Sequence, residues 1–440
     1  MRHHQWAYVP PMGWNSWDSY GAAVREEEIR ANAEYMATHL RQFGWEYIVV
    51  DIQWYEPEAK SSVYRPFVPL EMDAYSRLMP APNRFPSATD GQGFKPLADY
   101  VHSLGLSFGI HMMRGIPRQA VHNDTPIKGT TITARQIAHT NSICPWNTDM
   151  YGVDASKPGA QAYYDSLFEL YAEWGVDFVK VDDIAASRLY DPHVAEIELI
   201  RQAIDRCGRA IVLSLSPGPA PLGYHESLHD NANMWRITDD FWDQWELLYD
   251  MFERCEQWAQ FVEVGSWPDC DILPLGHIGI RSVDGGASDR WTRFTEDEQV
   301  TMMTLWSIFR SPLMFGGELR DNDAWTMSLL TNDEVLEANR SGRYARQVYR
   351  DEYDRIVWTS ENATTGDHYV ALFNAGDDPA LVRVSLEQLG LPSGYYRLRN
   401  LWERGEAGQV GYDIEVKIPP HGAKFYKLSR MNYEDVVVRR

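Results

Sequence analysis

Two pairs of ionisable residues close apolar runs in this chain: Lys180 and Asp182 in "VDFVKVDD", and Arg236 and Asp240 in "MWRITDD". The alternation of a strand sets Phe178, Lys180 and Asp182 on one face and Val179, Val181 and Asp183 on the other. The valines suit contact with covering helices, which leaves Lys180 and Asp182 facing inward. A cation beside a carboxylate holds it ionised, and an ionised, oriented aspartate is what nucleophilic attack on a sugar requires. The same alternation sets Arg236, Thr238 and Asp240 on one face of the later run. Two inward carboxylates around one mouth can cleave a glycosidic bond, one attacking the anomeric carbon and the other protonating the leaving oxygen. On spacing alone, the same acids serve equally well as structural ion pairs with Lys180 and Arg236. Asp183, which faces away or starts the next loop, is expected to be structural.

Other apolar runs also end in polar groups. Asp51 closes "YIVVD", His111 follows "FGI", Ser214 and Ser216 lie in "VLSLSPG", and Asp269 and Asp271 lie in "WPDCDIL". Each alone is more readily a rim residue than a ligand contact, but together they exceed what stability needs. Trp14, Trp17 and Trp54 could stack on a pyranose face or pack in a core. A metal-dependent hydrolase or isomerase would need His/Asp clusters at strand ends, and His111 is the one strand-end histidine. Cys144, Cys207, Cys255 and Cys270 have neither zinc nor disulfide spacing and read as free thiols.

The elements that must position these groups alternate. Strand-like runs ("MGWNSW", "YIVVDIQW", "LSFGIHMM", "VDFVKVDD", "AIVLSLS", "MWRITDD", "DILPLG", "SPLMFGG") are separated by amphipathic stretches such as "QAYYDSLFELYAEWG", several ending in glycine. This pattern predicts an α/β fold, a (β/α)8 barrel over residues 1–340, whose chemistry gathers at the strand C-termini. Residues 114–150 are too long and irregular for a simple strand-to-helix connection and are expected to form a functional lid. From residue 341 to 440 the texture changes to short alternating strands, which predicts an antiparallel β-sandwich.

Bulk composition narrows the partners. The 440 residues include 41 basic and 63 acidic side chains, a formal charge of -22, which argues against nucleic acid or an anionic membrane surface as partner. Seventeen tryptophans and 24 tyrosines offer flat faces to sugars, although most must serve the core. The N-terminus lacks the apolar segment of a signal peptide and no window suits a membrane span, so a cytoplasmic location is expected. Oligomeric state is open, a homo-oligomer included.

Taken in order, "PPMGWNSW", "YIVVDIQW", "FVKVDD", "WRITDD", "WPDCDIL", "EDEQVTMMTLWSIFRSPLMFGG" and "LLTNDEVLEANR" resemble the motifs of glycoside hydrolase family 27. This is the α-galactosidase and α-N-acetylgalactosaminidase family of the melibiase clan, and the likeness spans nearly the whole chain. The resemblance implies an exo-acting, anomer-retaining hydrolase with Asp182 as nucleophile and Asp240 as acid/base, needing no metal or organic cofactor. It also implies that Trp14, Asp51, Lys180, Arg236 and Asp271 line the subsite for the terminal sugar. The first expectation is an α-galactosidase acting on an oligosaccharide or glycoside. α-N-Acetylgalactosaminidase, β-L-arabinopyranosidase and isomalto-dextranase-type activities share the scaffold, and a non-catalytic sugar-binding barrel is the alternative of another class. Three departures bear on the glycone. Ile52 stands where galactose-specific members carry a second Asp, Ser216 stands where galactosidases often have Glu, and His111 stands where Tyr is usual. The Cys that typically follows the nucleophile is missing.

Overall fold

The computed structural model describes residues 1–61, 63–186, 192–282 and 288–432. Its apolar runs form eight parallel strands: β1 (Met12–Asn15), β2 (Tyr47–Val50), β3 (Ser107–Met113), β4 (Phe178–Asp182), β5 (Val212–Leu215), β6 (Met234–Arg236), β7 (Trp267–Asp269) and β8 (Leu313–Phe315). They are joined in the order β7-β6-β5-β4-β3-β2-β1-β8. The ring closes through Leu273, just past β7, which bridges in parallel to Phe315. Leu273 N–H donates to the Met314 carbonyl at 2.7 Å, and Gly316 N–H donates back to the Leu273 carbonyl at 3.0 Å. Strands buried on both faces read as near-continuous apolar runs, which is why this sheet stood out in the sequence. Gly13 is a packing requirement, since a Cβ there would sit 2.4 Å from the Tyr47 carbonyl oxygen and push β1 off β2. The helix Ala160–Trp174 stops at Gly175, whose φ of 83° suits glycine, and its N–H caps Ala172 and Tyr171. The chain then turns directly into β4.

Two expected strands are corrected. The seventh was expected at "DILPLG", residues 271–276, but β7 lies at 267–269 and includes Pro268, whose missing N–H disguises it as a non-strand. The sixth was expected to run to Asp240, but β6 stops at Arg236, so alternation does not carry Asp240 inward. The 114–150 insertion is more ordered than a simple lid. Ile116–Pro117, Ala138–Ile143 and Met150–Val153 form a three-stranded sheet with Met150–Val153 in the centre. Gly115 lets the insertion fold back, because a Cβ there would meet the Tyr151 carbonyl oxygen at 1.9 Å.

The chain divides into two compact units. The first comprises Met1–Trp242, Glu263–Thr292 and Leu313–Asn322 and holds all eight barrel strands. The second comprises Asp243–Val262, Arg293–Pro312 and Asp323 onward. Its C-terminal strands are β9 (Gly342–Arg350), β10 (Arg355–Asn362), β11 (His368–Asn374), β12 (Ala380–Ser385), β13 (Tyr396–Asn400), β14 (Gly405–Val410), β15 (Asp413–Ile418) and β16 (Ala423–Arg430). Six of these form an antiparallel sheet in the order β9-β10-β11-β16-β13-β14, and β12 pairs with β15. Their alternate apolar residues, among them Val357, Leu372, Val382, Val384, Ile414 and Leu428, form one core cluster. Cys144, Cys207, Cys255 and Cys270 are free thiols. Among the described residues, no helix is long and apolar enough to cross a membrane.

Candidate active site

Adjacent strands bring one row of charged groups together. Asp51 directly follows β2 and is fully buried. Its Oδ2 accepts from Asn15 Nδ2 at 2.7 Å and from Lys180 Nζ at 2.9 Å, and its N–H donates to Ser16 Oγ at 3.0 Å. Lys180 Nζ is 3.9 Å from Asp182 Oδ2, so one ammonium lies between two carboxylates. In the β3–β4 register His111 faces Lys180, and its Nε2 lies 3.1 Å from Asp182 Oδ2, as a donor to that carboxylate. Burial alone would raise the Asp182 carboxyl, but the His111 hydrogen bond and the Lys180 charge outweigh it and hold it well below the usual carboxylate range. Burial likewise works against ionising Asp51, and Lys180 and His111 again prevail. Lys180 gains from the same pairing, since burial lowers its affinity for a proton while Asp51 and Asp182 raise it further.

A second cluster lies at the ends of β6 and β7. Arg236 donates through Nη2 to Asp240 Oδ1 at 2.9 Å, and its Nη1 lies 2.9 Å from Asp271 Oδ1. Asp271 Oδ2 accepts from the Phe241 N–H at 2.8 Å, and its own N–H donates to Asp269 Oδ1 at 2.9 Å. Burial, with Asp240 and Asp269 nearby, pushes the Asp271 carboxyl above the usual carboxylate range despite Arg236. Asp240 differs from the other acids in that its side chain is 61% exposed.

Both clusters open on one cavity of about 740 Å³. Of the residues singled out in the sequence, Asp51, Ile52, Lys180, Asp182, Arg236, Asp240 and Asp271 line it. Trp14, His111 and Ser216 do not. Trp14 is fully buried with its Nε1–H on the Gly317 carbonyl at 2.7 Å. His111 stands behind Asp182, and Ser216 is buried with its Oγ 3.4 Å from the Val181 carbonyl. Of the other two tryptophans, Trp17 reaches the cavity, whereas Trp54 packs edge-on to Phe94 in the core. Asp183 starts the loop after β4 with φ of 58° and accepts from Arg114 Nη2 at 2.8 Å, a structural contact as expected.

Sequence reasoning missed an aromatic side of the cavity. Tyr64 stacks near Trp17, with ring centroids 6.2 Å apart, and lies 5.6 Å from the Trp146 ring. All three line the cavity, as does Trp242. Tyr64 and Trp146 come from irregular segments without strand or helix periodicity. The hints were the number of tryptophans and tyrosines in the chain and, for Trp146, the length of the 114–150 insertion.

Comparison with known proteins agrees with this geometry. The alpha galactosidase A family model matches residues 147–341, and the alpha galactosidase C-terminal beta sandwich domain model matches residues 352–428. Alpha-galactosidase 2 of Arabidopsis thaliana is 27% identical over 96% of this chain and 90% of its own length. Alpha-N-acetylgalactosaminidase of Gallus gallus is 26% identical over 96% of this chain and 94% of its own length. The crystal structure of a GH27 β-L-arabinopyranosidase from Geobacillus stearothermophilus is 66% identical, with a TM-score of 0.97, covering 100% of this chain and 99% of that one. With that degree of identity over its full length, the chain belongs to glycoside hydrolase family 27 and is a hydrolase of glycosidic bonds.

Proposed function

We propose that this glycosidase releases a single terminal sugar of galactose configuration with retention of the anomeric configuration. β-L-Arabinopyranoside is its preferred glycone, and α-D-galactopyranoside is the second substrate. In the first step an Asp182 carboxylate oxygen attacks C1, the bond from C1 to the leaving oxygen breaks, and the Asp240 carboxyl proton passes to that oxygen. In the second step Asp240 takes a proton from water, the water oxygen bonds to C1, and the C1–Asp182 ester bond breaks. Lys180, Asp51, Arg236 and Asp271 hold sugar hydroxyls. What supports this division of labour is the contrast between the two acids on one cavity wall, Asp182 held ionised by His111 and Lys180, and Asp240 open to solvent.

The observation that carries the glycone is Ile52, an apolar side chain on the cavity wall next to the Lys180-bound Asp51. The two sugars share ring stereochemistry, but galactose adds a C6 hydroxymethyl group. A hydroxyl pressed on an apolar wall without a partner costs about 1–3 kcal/mol, or roughly 5- to 150-fold. The relative of the same family that is 66% identical carries the β-L-arabinopyranosidase name, and the more distant α-galactosidases are consistent with the second activity. The test is kcat/KM on nitrophenyl β-L-arabinopyranoside and nitrophenyl α-galactopyranoside, for the natural protein and for Ile52→Asp. The pentoside should be favoured about 10-fold or more, and Ile52→Asp should reduce that ratio. Faster turnover of the galactoside by the natural protein would overturn the ranking, and cleavage of neither would overturn the assignment.

A further inference from the structure

A second polar cluster joins the 114–150 insertion to the loop after β2. Asp149 is 5% exposed and directly precedes the central strand of the insertion. Its Oδ2 accepts from Gln53 Nε2 at 2.6 Å and from Tyr55 OH at 2.8 Å, and its backbone N–H donates to Asn147 Oδ1 at 2.7 Å. Gln53 and Tyr55 are themselves buried. Burying a carboxylate is costly, and here neither side-chain donor is a cation, so a purely structural contact would be met as well by apolar packing. The cluster is instead placed where accuracy matters. Gln53 is the residue after Ile52, and Asp149 lies three residues after Trp146. Ile52 and Trp146 are both on the cavity wall.

We propose that Asp149 is a positioning residue for glycone selectivity, which through Gln53 fixes how far Ile52 projects into the cavity and couples that depth to the insertion that carries Trp146. This rests on the reading of Ile52 given above. Misplacement of a contact group by about 1 Å can cost up to ~10²-fold, so release of this clamp should register in the choice of substrate. Burial pushes the Asp149 carboxyl upward while the bonds from Gln53 and Tyr55 draw it back, consistent with an acid retained for its contacts.

Three substitutions in the full chain separate positioning from folding. Asp149→Ala removes the clamp, Gln53→Met removes the bond next to Ile52, and Tyr55→Phe removes the other bond to the same carboxylate. Each is measured for Tm and for kcat/KM on the pentoside and the galactoside. Asp149→Ala and Gln53→Met should both lower the pentoside-to-galactoside ratio by about 10-fold, whereas Tyr55→Phe should lower Tm and leave the ratio within about 2-fold. In an Ile52→Ala background, Gln53→Met should shift the ratio by less than about 2-fold, because both changes act through one wall. An unchanged ratio in Gln53→Met, or effects of Ile52→Ala and Gln53→Met that simply multiply, would overturn the clamp. If the natural protein shows no pentoside preference, the Ile52 reading fails on its own. The clamp is then decided by whether the two substitutions multiply on whichever glycoside reacts faster.

Discussion

His111 reaches Asp182 from behind the cavity wall, and this changes what a histidine at that position is expected to do. It does not touch the space a sugar would fill, but it donates to the carboxylate proposed to attack. Because that bond helps depress the Asp182 value, the ionised form is present above the lowered value and is lost as pH falls through it. His111→Phe removes one of the depressing contributions and leaves Lys180 in place. The acid limb of the kcat/KM profile should therefore move to higher pH, and an unmoved limb would show that His111 does not tune the nucleophile. Asp182→Ala should lower kcat by about 10⁴-fold or more with an unchanged circular dichroism spectrum. At this scale alternation was informative only inside the strands. Lys180 and Asp182 lie within β4, so parity identified them. Asp240 lies four residues beyond the end of β6, so the alternation that pointed to it does not hold there, and the motif resemblance is what remains to single it out.

At the scale of elements, Arg114 is the tie that holds the end of β4 in place. It follows β3, donates to the Asp183 carbonyl through Nε at 2.8 Å and to Asp183 Oδ2 through Nη2 at 2.8 Å, and reaches Glu196 Oε1 through Nη1 at 2.8 Å. Glu196 lies in the helix Val194–Arg206, so one buried guanidinium joins two strands and the following helix. Removing one partner of a buried pair leaves uncompensated charge, and Arg114→Ala should cost about 3–5 kcal/mol in urea unfolding. A loss below about 1 kcal/mol would show that the network is dispensable. Most elements were legible because buried parallel strands and glycine-terminated helices have strong local signatures. β7 was not, since Pro268 breaks the pattern. The small sheet of the insertion was not legible either, as the Ala138–Ile143 strand is largely polar and exposed.

At the scale of the whole molecule, the charge of -22 argues against an anionic ligand, and the proposed glycoside is uncharged. A neutral substrate has no charge to steer, so kcat/KM should change by less than about 2-fold between low and near-molar salt, and a steep salt dependence would point to a charged substrate. The change of texture near residue 341 was legible because strand alternation differs from helical periodicity, and β9 begins at Gly342. The compact units do not follow chain order, however. The helices Trp245–Trp258 and Glu296–Phe309 group with the C-terminal strands, and helical periodicity marks an apolar face without saying which sheet it covers. We propose that the β-sandwich domain nevertheless begins at residue 341.

Retention through Asp182 requires a covalent glycosyl ester on its carboxylate, and trapping reads that ester out. A 2-deoxy-2-fluoro β-L-arabinopyranoside with a good leaving group slows both steps by withdrawing electrons at C2, while its leaving group keeps the first step accessible. The protein is incubated with this reagent, digested and sequenced by mass spectrometry. The expected result is a single fluoroglycosyl ester on Asp182. An ester on any other carboxylate, or release of the fluorosugar with inverted configuration and no ester, would contradict the mechanism.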